Sequence, residues 1–199
     1  MILYDSPISG NCFKVRLLLA HLGIAVERRT VDVVDRSARP QLLGGLNPAL
    51  RVPTLVLDDG RPLAESAAIL WYFGDGTRFV PTDPYERAQV LQWMFFEQYE
   101  TEPTLAVVRF WLAYSGRPDE FAAQIPAKLA AGYKALDAMD RHLSGREFFV
   151  GETPTLADFA LYAYTHVAPE GGFELERYPA IVEWLERIAS MPGHIPIDA

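Results

Sequence analysis

At 199 residues, half of them hydrophobic, the chain is long enough for one large or two small domains with a sizeable core. A formal net charge of −8 argues against nucleic acid and anionic membrane as partners. The single cysteine, Cys12, rules out an intramolecular disulfide and a cysteine zinc cluster, and it fits a reducing cytoplasm.

Ile2-Leu3-Tyr4 reads as a first strand and lacks the basic and apolar regions of a leader peptide. Asp5 to Asn11 is a loop of serine, proline and glycine. Val15, Leu18, Leu19 and Leu22 then recur at helical spacing up to the stop at Gly23. Val26 to Val34 alternates apolar with polar and predicts a second strand, parallel to the first because a helix joins them. Arg36 to Leu43, with Pro40 inside it, predicts a loop and a short helix. Every apolar run is broken by charge before it reaches the length of a membrane span.

The stretch from Asn47 to Ser66 holds the sharpest signal. Val52-Pro53 precedes the apolar run Thr54-Leu55-Val56-Leu57. Proline is tolerated at the entry to a strand, and an X-Pro bond there can be cis. A cis turn leaves the main chain of Val52 facing outward, where an extended peptide can pair with it. Asp58-Asp59-Gly60 predicts a turn, Arg61 to Ala64 a returning strand, and Glu65-Ser66 a helix start suited to a carboxylate.

The punctuation at Gly74-Asp75-Gly76-Thr77, with Pro81 and Pro84 beyond it, marks a linker over 77–83 between domains at 1–76 and 84–199. Past it the pattern is helical: Tyr85 to Tyr99, Ala106 to Tyr114 continuing in helical register after Pro103, Ala127 to Leu143, Thr155 to Tyr164, and Pro179 to Ala189. The four histidines show no metal-ligand spacing, so no metal is expected.

Four marks in order resemble the soluble glutathione transferase family over nearly the full length. They are Ser9-Gly10-Asn11-Cys12, Asn47-Pro48 through Arg51-Val52-Pro53-Thr54-Leu55, Glu65-Ser66-Ala67-Ala68-Ile69-Leu70, and Gly151-Glu152-Thr153-Pro154-Thr155-Leu156-Ala157-Asp158. The last resembles that family's capping box at Thr155 and Asp158. The resemblance implies a thioredoxin-like α/β domain followed by an all-helical domain, in a homodimer. It implies glutathione as cosubstrate, with Val52 ahead of cis-Pro53 pairing with the cysteinyl part and Glu65 and Ser66 holding the γ-glutamyl end. Arg39 and Arg51 stand nearest the place where a basic residue meets the glycyl carboxylate. Tyr99 and Trp111 are the aromatic candidates for the pocket of a small apolar electrophile, as in detoxification.

The thiol-activating residue is drawn from Ser9, Asn11 and Cys12, with Tyr4 as a fourth candidate placed in the first strand. Ionising glutathione at neutral pH means lowering a thiol pKa of ~8.5 by about two units, roughly 2.7 kcal/mol. One hydrogen bond to a charged acceptor supplies about 1.5–3 kcal/mol, so a single hydroxyl with a helix start behind it suffices. Ser9 matches the serine of the serine-type classes and is favoured, with Asn11 as helper or rival. An active Cys12 implies instead a glutathione-dependent disulfide or peroxide reductase. The fold also serves non-catalytic binding and regulatory proteins, and those alternatives stay open on sequence alone.

Overall fold

The computed structural model describes all residues, 1–199, and divides into two compact units, 1–77 with 192–199 and 78–191. The first unit runs β1 (Ile2–Asp5), α1 (Gly10–Leu22), β2 (Glu27–Thr30), α2 (Arg39–Leu43), β3 (Thr54–Val56), β4 (Pro62–Ala64) and α3 (Ser66–Gly74). The sheet order is β2-β1-β3-β4, with β1 parallel to β2 and antiparallel to β3, and β3 antiparallel to β4. This is the thioredoxin-like arrangement expected.

β2 is shorter than its alternating pattern, ending at Thr30 with every residue exposed. It lies at the border of the sheet, where one side has no ladder partner, and the chain leaves it at Val31, whose N–H still reaches Asp5 O at 2.7 Å. At the opposite border, Gly60 takes φ +85° and its N–H bonds Leu57 O, closing the hairpin turn. Pro62 sits in β4, an edge strand, where its missing N–H is tolerated.

Leu3, Val15, Leu19, Leu55 and Ile69 pack as one side of this unit's core, while Tyr4, Val31 and Leu43 form the other. Apart from half-buried Asn11, α1 is buried from Gly10 to Leu19, including Lys14 and Arg16, so it is a central helix and not an amphipathic surface one. The last residues, 192–199, fold back onto this unit. Sequence pattern assigned them to the helical domain, because no local signal distinguishes a tail that returns.

The second unit is helical: α4 (Pro84–Phe96), α5 (Val107–Arg109), α6 (Ile125–Leu143), α7 (Leu156–Thr165) and α8 (Pro179–Ala189). The helix continues from α4 through a π-helical stretch, Glu97–Ala106, then α5, then a second π-helical turn, Phe110–Tyr114. A proline inside an α-helix loses one bond and collides with the carbonyl four residues back, and a widened turn relieves both problems. Threonine hydroxyls satisfy carbonyls there: Thr101 bonds Glu97 O at 3.0 Å, and Thr104 bonds Glu100 O at 2.6 Å.

Every residue of α7 is buried, and its capping box forms at Thr155 and Asp158. The Asp158 carboxylate accepts from Thr155 N (2.8 Å), Thr155 Oγ1 (3.0 Å), Phe149 N (3.1 Å) and Trp184 Nε1 (3.0 Å). One carboxylate thereby fixes α7, the turn before it, and α8.

Candidate functional site

The register brings three loops to one end of the sheet. Tyr4 lies opposite Thr54, and Thr54 opposite Ala64. Continuing by two residues, the exit of β1, the entry to β3 and the start of α3 converge. These are the segments that contain Ser9, Val52 and Ser66.

Ser9 is the N-cap of α1, extended at φ −83°, ψ 117°, and its Oγ accepts from Cys12 N at 3.3 Å. As acceptor the hydroxyl keeps its own proton available for donation. Ser9 N–H bonds Ser6 O at 3.1 Å, so the cap sits on a tight turn. Asn11, in the first turn, accepts on Oδ1 from Lys14 Nζ at 2.7 Å and from the Ser66 hydroxyl at 3.1 Å. Cys12 is wholly buried, and burial, then the nearby Asp5 charge, push its thiol up to about 12. Tyr4 is buried with Val31 and Leu43 and belongs to the core.

The Val52-Pro53 bond is cis. Buried Asn47 shapes the loop before it, donating to Arg51 O at 3.1 Å and Thr54 Oγ1 at 3.0 Å while accepting from Ala49 N at 2.9 Å. Leu50 is held at φ +53°, in the left-handed region that side chains avoid. Val52 is half-buried, and neither its N–H nor its C=O has a hydrogen-bond partner within the protein. An unpaired main-chain pair at a strand entry is what strand addition requires.

At α3, Glu65 is exposed at φ +68° and provides no side-chain cap. Strain of this kind persists only where surrounding structure enforces it, and it clusters at binding sites. The first intrahelical bond runs from Ile69 N to Glu65 O, so the N–H groups of Ser66, Ala67 and Ala68 are first-turn donors. Ser66 is only 3% exposed, and its hydroxyl donates to Asn11. Of the hydroxyl and N–H groups that the sequence pointed to at this helix start, the hydroxyl is engaged with Asn11, and the main-chain amides are the remaining donors.

Arg39 is buried and bonded to main-chain oxygens: Leu50 O at 3.3 Å, Val33 O at 3.4 Å and Asp32 O at 3.4 Å. No carboxylate pairs with it. Burial, then the Arg36 and Arg51 charges, lower its pKa against the opposing effect of the Asp32 carboxylate. Arg51 is exposed and Arg39 is not.

In the helical unit, Tyr99 is 81% exposed, and Trp111 is half-buried with its ring stacked on Phe121 at 4.6 Å. No group of three or more His, Cys, Asp and Glu side chains is arranged to hold a metal ion. No helix is long and apolar enough to cross a membrane.

Sequence reasoning missed Asp5, Lys14 and Arg16. All three are buried behind the Ser9 loop. The signal was present as Lys14 and Arg16 within the run Cys12–Leu19, whose other members are apolar: two cations in a helix buried all round need partners.

Comparison with known proteins gives a consistent result. Residues 8–75 match the family described as glutathione S-transferase, N-terminal domain, and residues 104–192 its C-terminal domain. A solved glutathione S-transferase from Pseudomonas fluorescens is 46% identical, covers 98% of each chain, and superposes with a TM-score of 0.95. Glutathione S-transferase 2 of Anopheles gambiae is 31% identical over 96% of this chain and 91% of its own length. A probable maleylacetoacetate isomerase of Caenorhabditis elegans is 28% identical over 98% of this chain and 91% of its own.

Proposed function

The chain belongs to the glutathione S-transferase family, and on that premise we propose that it is a catalytic transferase, ionising glutathione for attack on a small apolar electrophile. The observation that supports this most directly is the bare main chain of Val52, at the same end of the sheet as the Ser9 hydroxyl and the first turn of α3. The cysteinyl part of glutathione pairs with Val52 as an added strand. Its γ-glutamyl carboxylate meets the Ser66, Ala67 and Ala68 amides, where the helix dipole favours an anion, and Glu65 faces the ammonium. Its glycyl carboxylate meets exposed Arg51, with Arg39 behind it fixing the Leu50–Val52 loop.

The sulfur then faces Ser9, whose hydroxyl donates to the thiolate while the departing proton passes to solvent. The thiolate attacks the electrophile, for which Tyr99 and Trp111 are the proposed contacts. A reductase running through Cys12 is disfavoured, since a fully buried thiol pushed up to about 12 neither ionises near neutrality nor meets a substrate. A homodimer in a reducing cytoplasm is part of this proposal.

Two measurements test it on the intact protein: calorimetric titration with glutathione, and the rate of conjugation to an activated chloroarene. Saturable binding with turnover is expected. Binding without turnover on any electrophile would move the chain to the non-catalytic members of the fold, and no binding by the folded protein would remove the seat itself.

A further inference from the structure

Ser9 is held by more than its own helix. Its N–H rests on Ser6 O, and the same carbonyl accepts from Arg16 Nη1 at 3.2 Å. Arg16 Nη2 reaches the next carbonyl, Pro7 O, at 3.4 Å. Arg16 follows Ser9 by two helical turns, so both occupy one face of α1, and the guanidinium lies beneath the turn that presents the hydroxyl.

That guanidinium is fixed on its other side by two groups. Asp5, 1% exposed, accepts from Arg16 Nη1 at 2.5 Å, and Arg16 is itself 4% exposed. The main-chain oxygen of Ile197, from the returning tail, accepts from Arg16 Nη2. Arg28 completes the node, donating to the second Asp5 oxygen at 2.8 Å and to Ala199 O at 2.6 Å. The tail is thus attached through main-chain oxygens to two arginines that share one carboxylate, and one of them supports the Ser9 turn.

We propose that Arg16 is the positioning residue for the Ser9 hydroxyl, and that the tail, residues 192–199, locks it through the Ile197 carbonyl. The inference rests on the reading that Ser9 stabilises the glutathione thiolate. A thiolate hydrogen bond is steeply sensitive to donor placement, and a planar fork spanning Asp5, two loop carbonyls and the tail sets that placement. The proposed seat for the tripeptide, at Val52 and α3, shares no hydrogen bond with Arg16, Asp5 or the tail.

The test compares three variants of the intact protein with the parent: Arg16→Lys, a chain ending at His194, and Ser9→Ala. Lysine keeps the buried charge beside Asp5 but cannot fork across four acceptors, and the shortened chain keeps the Asp5–Arg16 pair while losing the tail oxygens. For each, the bound thiol is titrated by the ultraviolet absorbance of its thiolate, glutathione affinity by calorimetry, and folding by thermal melting.

With Arg16→Lys and with the shortened chain, the bound thiol pKa is expected to rise by about one unit, a tenfold loss of thiolate on the acidic side. Affinity should stay within about threefold, because the seat is separate. Turnover lost at pH 6.5 should return at higher pH. In the Ser9→Ala background neither change should shift the thiol further. A bound thiol pKa unmoved by both variants, while Ser9→Ala does move it, overturns the positioning inference alone. A pKa unmoved by Ser9→Ala overturns the Ser9 reading on which it rests.

Discussion

The hydroxyl of Ser66 donates to Oδ1 of Asn11 across 3.1 Å, joining residues 55 positions apart in the chain. Lys14 Nζ donates to the same oxygen at 2.7 Å, which orients the amide. Asn11 therefore ties the start of α3 to the start of α1, the two helix starts that the proposed function assigns to the γ-glutamyl end and the sulfur. A double-mutant cycle on Asn11→Ala and Ser66→Ala, read as glutathione affinity, should give a coupling of about 0.5–3 kcal/mol. Additivity within error would show the two helix starts to be independent.

Ser9→Ala should lower kcat at neutral pH by about tenfold to a hundredfold, the worth of one hydrogen bond to a charged acceptor. The loss should shrink as pH rises past the ionisation of the unassisted thiol. The same change removes an N-cap and should cost about 1 kcal/mol in a urea melt. A pH–rate profile of unchanged midpoint would exclude Ser9 as the donor.

Cys12 should be silent. Its folded thiol is held up to about 12 against an ordinary 9.0, so at pH 6–8 iodoacetamide should label it only after denaturation. A thiol whose pKa is raised on folding adds stability that is fully present below pH 9 and is lost as pH climbs toward 12, because the unfolded chain ionises first. Cys12→Ser should leave conjugation within about threefold, since the side chain is wholly buried. Mass spectrometry after native labelling, compared with turnover of the variant, decides the matter.

Arg51→Ala should weaken glutathione binding and flatten its dependence on salt, because an exposed cation acts on a carboxylate through screened charge. Arg39→Met should act differently. It removes three links to Asp32, Val33 and Leu50 carbonyls and should appear first as a lower melting temperature. Calorimetry at two ionic strengths separates the direct contact from the support.

Asp158→Ala removes the acceptor of four hydrogen bonds at a fully buried position. It leaves the Trp184 indole and the Phe149 amide without partners, so a loss of about 2–4 kcal/mol is expected. Asp158→Asn should recover part of it. Equilibrium urea unfolding followed by tryptophan fluorescence reads both.

Local chemistry made much of this legible. Val52-Pro53, Gly60 and Thr155 with Asp158 state their conformations through residue type, and two of the strand pairings follow from the helix joining β1 to β2 and the short turn joining β3 to β4. What stayed hidden is long-range. Nothing within a helical turn of Asn11 announces Ser66, and nothing in Pro192 to Ala199 announces two arginines near the other end of the chain. The resemblance offered Arg39 as a candidate for the glycyl carboxylate, and only the fold shows its donors committed to carbonyls.

The two borders of the sheet settle how copies of this chain can meet. Leu57 N bonds Arg61 O, so the adjacent Val56/Pro62 pair turns its main-chain groups outward, and there the proline has no hydrogen to offer. On the far side, Glu27, Arg28 and Arg29 surround the rim with charge. A visiting strand finds a missing donor on one flank and a solvated palisade on the other. Both features disfavour continuous cross-strand growth between molecules.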